Sequence, residues 1–288
     1  MSNSKKTIKI GFIGQGWIGK NMADDFENRG YQTVRYGLEA PYNKNKEAVS
    51  KCDIVFIAVP TPTTPKGFDN TILKKVIPVV GIGKIAVIKS TIIPGTTNML
   101  QKLNPKIFVM HSPEFLTEKT AALDSANPNR NIVGIPIENK AYKIRAKKVL
   151  SVLPKAPYEL IVGAKSAEFI KYAGNSWFYT KVVYINMLYD IAKKLHLDWE
   201  TIAVALSADP RIGSTHLRPV HQGGRGAGGH CFIKDFEALL RLYGKLIGDK
   251  EGINLFSALR TKNNKLLLST KKDLDIFYGV YGKNYKNK

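Results

Sequence analysis

Short β-branched and aromatic runs alternate with longer stretches of helical period through the first half of the chain. Runs of strand length fall at Lys9–Ile13, Gln32–Tyr36, Ile54–Val59, Ile85–Lys89, Ile107–Met110 and Asn131–Gly134, with Leu160–Val162 following later. Between them, Trp17–Arg29, Thr71–Val80, Gly95–Leu103 and Lys140–Leu153 carry helix-compatible patterns. A strand followed by a helix and another strand builds a parallel pair, and a parallel sheet needs cover on both faces. The pattern therefore predicts an α/β fold with a doubly wound, mostly parallel sheet.

Beyond that region the period changes. From Ala164 to about His196 there is no proline and one glycine, Gly174, while apolar residues recur at Phe169, Tyr172, Ala173, Phe178, Val182, Ile185 and Leu188. This spacing predicts one long spine helix, more than an ordinary domain needs, which is expected to connect domains or pair two copies. After a glycine-rich loop at Gly223–Gly229, the segments Phe236–Leu246 and Phe256–Leu268 read as further helices. The expected organisation is a first domain over residues 1–163 and an all-helical dimerisation domain over residues 164–288. Both ends, Met1–Lys6 and Lys283–Lys288, are polar, and the second is expected to fray.

Composition narrows the classes without choosing among them. The 288 residues are 44% hydrophobic and 23% charged, which suits a soluble globular protein with a real core. No apolar run approaches bilayer length, and the N-terminus lacks the apolar core of a signal peptide, so a cytoplasmic location is expected. Two cysteines, Cys52 and Cys231, stand far apart with no metal-ligand spacing around either. The histidines, His111, His196, His216, His221 and His230, show no metal-like grouping and read as surface or loop residues, with His230 beside the Cys231 thiol. The net charge of +21 is carried by lysines spread along the whole chain, with no zinc knuckle or RNP-like aromatic motif. It reads as a solvated surface, part of which suits anionic small molecules, rather than as a nucleic-acid interface.

Candidate chemistry begins at Gly14-Gln15-Gly16-Trp17-Ile18-Gly19, which follows the strand Lys9–Ile13 and opens a helix. The first glycine allows a tight turn, the second lets backbone approach a pyrophosphate, and the third lets helix and strand pack closely. In this strand–turn–helix setting the spacing points to a Rossmann-like dinucleotide site. The nearest carboxylate for a ribose, Glu39, comes a residue or two late, and Arg35 beside it leaves a phosphorylated ribose open. NAD is favoured over NADP.

Further segments carry a family resemblance. They are Val59-Pro60-Thr61-Pro62-Thr63, Ser90-Thr91-Ile92-Ile93-Pro94-Gly95-Thr96-Thr97, Pro113-Glu114-Phe115-Leu116-Thr117-Glu118 and Glu168-Phe169-Ile170-Lys171-Tyr172-Ala173-Gly174-Asn175. After them come Asp209-Pro210-Arg211-Ile212-Gly213 and the loop Gly228-Gly229-His230-Cys231-Phe232-Ile233-Lys234-Asp235. In this order the segments resemble the UDP-glucose/UDP-N-acetylmannosamine/GDP-mannose dehydrogenase family over essentially the whole chain. The resemblance implies NAD-dependent, two-step oxidation of a nucleotide sugar, UDP-glucose first among them, to its uronic acid.

The chemistry accords with those residue types. Oxidising an alcohol to an acid takes two hydride transfers, and a thiolate traps the intermediate aldehyde and then carries a thioester for water to cleave. Such a scheme needs a nucleophilic cysteine, a donor for the oxyanion and a carboxylate for water. Cys231 follows the glycine loop at the start of a helix, where the helix dipole favours a thiolate, and Asp235 lies four residues on. Lys171 and Asn175 share the same spacing on the long helix.

By resemblance, Cys231 is the nucleophile, Lys171 and Asn175 stabilise oxyanions, and Asp235 and Thr91 hold the catalytic water. Glu114 serves as acid/base and Glu118 supports the site. Gly14, Gln15, Gly16, Trp17, Ile18, Gly19, Glu39, Pro60, Thr61 and Thr91 are implied to bind the cofactor. Phe115 and Leu116 offer backbone groups to the sugar diphosphate, Gly228 and its loop lie along the sugar, and Arg211 reaches the substrate of a neighbouring subunit in a homodimer built on the 164–196 helix.

The sequence departs from the family in two respects. Members usually continue into another Rossmann-like domain that closes over the nucleotide base, and that C-terminal domain is expected to be absent here. Ala227 also stands where an aromatic usually precedes the glycine pair, and Ile233 replaces the common proline before Lys234-Asp235. An inactive NAD-binding scaffold or regulator is therefore the main alternative. A single-step hydroxy-acid dehydrogenase shares the dinucleotide domain and a lysine on the spine helix but has no need of the Cys231 loop.

Overall fold

The computed structural model describes residues 8–285, with Glu118 described by its backbone alone. The polar end Met1–Lys6 and the last three residues of Lys283–Lys288 lie outside the described part. Two compact units emerge, one of Met1–Thr61 with Asp69–Lys171 and the other of Pro62–Phe68 with Tyr172–Lys288.

In the first unit, β1 (Lys9–Ile13), α1 (Trp17–Asn28), β2 (Gln32–Tyr36), α2 (Lys46–Ser50) and β3 (Ile54–Ile57) follow one another. A short hairpin of β4 (Thr63–Thr64) and β5 (Gly67–Phe68) then belongs to the second unit. The first unit resumes with α3 (Thr71–Val76), β6 (Ile85–Ile88), α4 (Thr96–Leu103), β7 (Phe108–His111), α5 (Ala121–Ala126), β8 (Arg130–Ile135), α6 (Lys140–Val152) and β9 (Tyr158–Gly163). It ends in the first turns of α7 (Ala164–Lys194).

The seven-stranded sheet runs β2-β1-β3-β6-β7-β8-β9, so the strand order reverses between β1 and β3. Every pairing is parallel except β7 with β8, which meet antiparallel at His111 and Gly134. The central strands β3 (Ile-Val-Phe-Ile) and β6 (Ile-Ala-Val-Ile) are buried at every residue, as unbroken apolar runs covered on both faces should be. One core cluster joins Phe12, Phe26 and Phe56, with Phe12 stacked on Phe56 at 5.6 Å, to Val87, Met110, Val133 and the buried side of α6. At Gly134 a Cβ would stand 2.6 Å from that of Ala167, so this glycine lets the start of α7 lie directly on β8.

The second unit takes the rest of α7 and adds α8 (Trp199–Ser207), a hairpin of β10 (Val220–His221) and β11 (Gly224–Arg225), α9 (Gly229–Leu246), α10 (Lys250–Thr270) and α11 (Leu274–Tyr281). The expectation of an all-helical unit holds for its core, with two small hairpins added. Tyr179 of α7 stacks on Phe236 of α9 at 3.8 Å, joined by Val183 and Ala227, and Ile233, Leu267, Phe277 and Val280 form a second cluster. Helix α9 starts at Gly229, seven residues before the apolar run from Phe236, and has Cys231 at its start with Asp235 one turn on, as expected. Along α7, Trp177, Tyr184, Met187 and Ile191 remain 44–65% exposed at helical spacing. Among the described residues no helix is long and apolar enough to cross a membrane.

Candidate active site

The reversal between β1 and β3 places the turn after β1 and the segment after β3 side by side, where open α/β sheets bind ligands. Gly14 has φ +93, and its N–H donates to the Tyr36 carbonyl at 2.9 Å. A Cβ on Gly14 would come 2.2 Å from the Ala58 oxygen, and one on Gly19 would come 1.9 Å from the Gly14 oxygen. Gly16 differs from both, because a Cβ there would meet nothing within 4 Å. Two glycines therefore serve the fold, and the third faces open space at the α1 N-terminus, where Gly16 caps the helix without a side chain and the first turn holds no acid. Such a bare N-terminus suits a pyrophosphate, and the buried Gln15 Oε1 beside it has no hydrogen-bond partner among the described residues.

Gly14→Ala is accordingly expected to cost stability, roughly 2–4 kcal/mol in thermal or denaturant unfolding, through strain at positive φ and the clash with Ala58. Gly16→Ala should leave the melting temperature within about 2 °C and weaken dinucleotide affinity at least about tenfold by calorimetry. Equal destabilisation by both changes would refute this division of roles.

Trp17, 64% exposed, and Ile18 begin α1. Glu39 stands exposed on the turn after β2. Arg35, which could have answered a ribose phosphate, is committed elsewhere: its Nη2 lies 2.6 Å from Glu27 and 2.7 Å from Asp24, both on α1. Those bonds, Glu27 first, hold its guanidinium charge more firmly than usual. Beyond β3, Thr61 Oγ1 donates to the Thr91 carbonyl at 2.7 Å, while Ser90 Oγ accepts from the Val59 N–H and donates to the Val59 carbonyl. Pro60 lies exposed between these ties, and Thr61 and Thr91 are buried.

A cluster of buried charges follows β7. Glu114 Oε1 lies 3.0 Å from Lys171 Nζ with both side chains over nine-tenths buried. Burial raises the Glu114 carboxyl, but Lys171, the Leu116 N–H and Lys89 outweigh it and leave the group below the ordinary glutamate range. Lys89, at the end of β6, donates to Ser112 Oγ at 3.1 Å and to the Pro113 carbonyl at 3.4 Å. Burial pushes its ammonium down to about 8, against the pull of Glu114 and with the push of Lys171. Sequence reasoning gave Lys89 no role; its one signal was a lysine closing the apolar run Ile-Ala-Val-Ile.

The Leu116 N–H, expected to meet a sugar diphosphate, donates here to Glu114 Oε2 at 2.7 Å and so helps orient that carboxylate. His111, read as a surface or loop residue, is fully buried at the end of β7 with Nδ1 3.0 Å from the Ile88 carbonyl. Burial and then Lys89 push its imidazole down to about 3, leaving it neutral. Phe115 lies under the Arg130 guanidinium at 3.8 Å, and a cavity of about 280 Å³ opens here, lined by Lys89, Glu114, Phe115, Ser125, Arg130 and Asn131 among others. The support expected from Glu118 falls on a side chain outside the described part.

Glu168, quoted in a motif but assigned nothing, proves to be an anchor. Fully buried and fifth in α7, it accepts from the Gly95 N–H at 2.5 Å, the Thr97 N–H at 2.7 Å and Thr97 Oγ1 at 2.6 Å. It thereby holds the open N-terminus of α4 and the segment that carries Thr91. Burial lifts its carboxyl above the ordinary value despite these donors.

In the second unit, Cys231 is half-buried and third in α9, and Asp235 is fully buried one turn later. Asp235 Oδ2 accepts from Asn175 Nδ2 at 2.6 Å, and Oδ1 accepts from Lys234 Nζ at 2.5 Å. A carboxylate has about four lone-pair sites, so two remain for water, and Asn175 keeps a second N–H. Residue 233 is an isoleucine whose N–H suits a helix that already began at Gly229, and its side chain packs with Leu267 and Phe277. Arg211 is 89% exposed and paired to Asp209 at 2.7 Å. His216 is half-buried and stacked on Phe178 at 4.8 Å. Gly228 caps α9 and belongs to a loop that is packed rather than loose: a Cβ on Gly224 would meet that of Lys272 at 2.6 Å, and one on Gly228 would meet Asp273 Oδ2 at 1.9 Å.

Two family models match in sequence order. Residues 35–151 match the NAD binding domain, and residues 165–265 the central domain, of the UDP-glucose/GDP-mannose dehydrogenase family. The chain belongs to this family. Its first unit is the family's NAD-binding domain, and the Gly14–Gly19 turn lies just ahead of the matched stretch.

A UDP-glucose 6-dehydrogenase of Bacillus subtilis, YwqF, is 31% identical over 261 residues, which cover 86% of this chain and 56% of that protein. The chain thus spans about half the length of the curated relatives it matches. A UDP-glucose dehydrogenase of Pyrobaculum islandicum superposes with a TM-score of 0.79 at 26% identity, covering 92% of this chain and 70% of that one. A 3-hydroxyisobutyrate dehydrogenase of Mycobacterium tuberculosis gives 0.71 at 17% identity, covering 96% and 99%; that likeness is one of fold.

Proposed function

We propose that the protein oxidises the primary alcohol of a nucleotide sugar, UDP-glucose first, to the uronic acid in two NAD-dependent steps, drawing on cytoplasmic NAD. The observation that carries this reading is the pairing of Asn175 with a fully buried Asp235 one helical turn beyond Cys231. A hydroxy-acid dehydrogenase that works in one step has no use for that thiol. When bound, NAD supplies a hydride acceptor for each oxidation. Gly14 to Gly19, Glu39, Pro60, Thr61 and Thr91 are the residues we assign to holding it, and the open space before Gly16 fits a pyrophosphate.

In the first step the substrate hydroxyl loses its proton and its carbon a hydride, giving the aldehyde. Lys171 and Asn175 hold the oxygen. Cys231 sulfur then bonds to the aldehyde carbon, and the oxygen gains a proton to complete a thiohemiacetal. The second oxidation removes a hydride and a proton and leaves a thioester. Water held by Asp235 and Thr91 attacks the thioester carbon, the C–S bond breaks, and the sulfur leaves as thiolate. Glu114, kept ionised beside Lys171, serves as acid/base, and Phe115, Leu116 and Gly228 line the sugar. The exposed apolar residues of α7 support a homodimer through this helix, and the exposure of Arg211 supports its reaching a neighbouring subunit's substrate.

The test is NADH release from purified protein given NAD and, in turn, UDP-glucose, UDP-N-acetylmannosamine and GDP-mannose. Release with one of them, at two NADH per uronate, is the expected result. NAD binding with no NADH from any sugar would overturn the reading in favour of an inactive scaffold.

A further inference from the structure

The glycine loop before Cys231 is gripped from below by α10 and the turn that ends it. The Arg225 N–H donates to Thr270 Oγ1 at 3.0 Å, Lys272 Nζ donates to the Gly226 carbonyl at 3.1 Å, and the Gly229 N–H donates to Asp273 Oδ2 at 2.7 Å. At the centre, Asn263 takes both sides of one residue. Its Oδ1 accepts from the Ala227 N–H at 2.7 Å, and its Nδ2 donates to the Ala227 carbonyl at 3.0 Å.

A side-chain amide thus pairs with Ala227 backbone much as a neighbouring strand would, and fully buried, since Asn263 is 0% and Ala227 1% exposed. Gly226, at φ +96, passes so close that a Cβ would stand 3.0 Å from Asn263 Oδ1. Immediately after this contact Gly228 caps α9 with no side chain of its own. The start of α9, and with it the third residue Cys231, therefore takes its position from groups on α10 and the following turn.

We propose that Asn263 is a positioning residue for Cys231, seating the 224–229 loop so that the thiol stands at a fixed place at the head of α9. This rests on Cys231 being the nucleophile, but the docking itself has a readout independent of turnover. Asn264 supplies the control: it is adjacent, equally buried, and donates to Tyr285 Oη at 2.8 Å instead of touching the loop.

The experiment measures melting temperature and the rate of iodoacetamide labelling at Cys231, read by peptide mass spectrometry so that buried Cys52 is distinguished. Asn263→Ala, Asn263→Asp and Asn264→Ala are compared with the natural chain. Unseating the loop should expose the half-buried thiol and raise labelling about fivefold or more in Asn263→Ala. Asn263→Asp, which keeps the acceptor for Ala227 N–H, should fall between, and Asn264→Ala should label like the natural protein while losing stability. If Asn263→Ala fails to fold, the Asn263→Asp rate decides.

With a sugar that turns over, kcat should drop about tenfold or more in Asn263→Ala while KM changes little, as a displaced reacting group predicts. Unchanged labelling in both Asn263 variants, or an equal rise in Asn264→Ala, overturns the proposal. Absence of NADH from the natural protein defeats the dehydrogenase reading alone and leaves the labelling result to stand or fall by itself.

Discussion

Replacing Cys231 by serine is expected to cut uronate formation by a factor on the order of 10³ or more while NAD and sugar affinities stay close to those of the natural protein. A serine hydroxyl is scarcely ionised near neutrality, and Asp235, already holding Asn175 and Lys234, offers no base aimed at it. The first oxidation needs no thiol, so the aldehyde should form and be captured by a hydrazine or hydroxylamine. Product analysis by mass spectrometry separates the cases. Uronate formed at the natural rate by Cys231→Ser would remove the thiol from the mechanism.

The second large effect concerns stability. Glu168→Ala should lower the stability of the first unit by roughly 3–5 kcal/mol, because two backbone N–H groups and a hydroxyl lose their acceptor in a buried place. For a unit of this size that corresponds to a fall of about 10 °C in melting temperature by calorimetry. Glutamine is a poor rescue, since its NH2 would face N–H donors where an acceptor is needed. A change under about 3 °C in Glu168→Ala would show that water replaces the carboxylate at little cost. The nearness of Glu168 to the Lys171 turn gives the measurement a second use: activity lost with stability retained would place Glu168 in the chemistry instead.

Much of the first unit was legible because its signals are local. A glycine spacing fixes the β1–α1 turn, and apolar runs of four or five residues mark the buried strands to within a residue or two. The order of the motifs pointed to the family that the comparisons establish. What escaped depended on tertiary partners. The apolar run marks α9 only from Phe236 and the loop before it sets Cys231 at a helix start; the bond from the Gly229 N–H to Asp273 Oδ2, which fixes where that start falls, has no local signal. The antiparallel join of β7 and β8 left no trace in link length, since the link between them is as long as the one joining the parallel strands β1 and β2.

Helix α8 was missed despite a signal, Asp198 accepting from the Glu200 and Thr201 N–H groups. Pattern reading singles out side chains that carry reactive groups and passes over those that hold backbone or another side chain in place. Lys89, Glu168 and Asn263 each act on backbone or on another side chain from a distant stretch of sequence. A single chain read alone gives no sign that Leu116 spends its N–H on Glu114, because that bond depends on how the loop turns.

The hairpin at Pro62–Phe68 has a bearing on how this protein can be taken apart. Although it interrupts the sequence of the first unit, it packs with the second, where Arg241 Nη1 donates to the Thr64 carbonyl at 2.7 Å and also reaches Glu237. The chain therefore enters the second unit twice. Severing the backbone after Lys171 would yield an N-terminal fragment carrying an orphan strap and a C-terminal fragment with Arg241 deprived of its carbonyl. Exchange of parts between relatives must move the seven-residue strap together with helices 172–288, because both belong to the second unit.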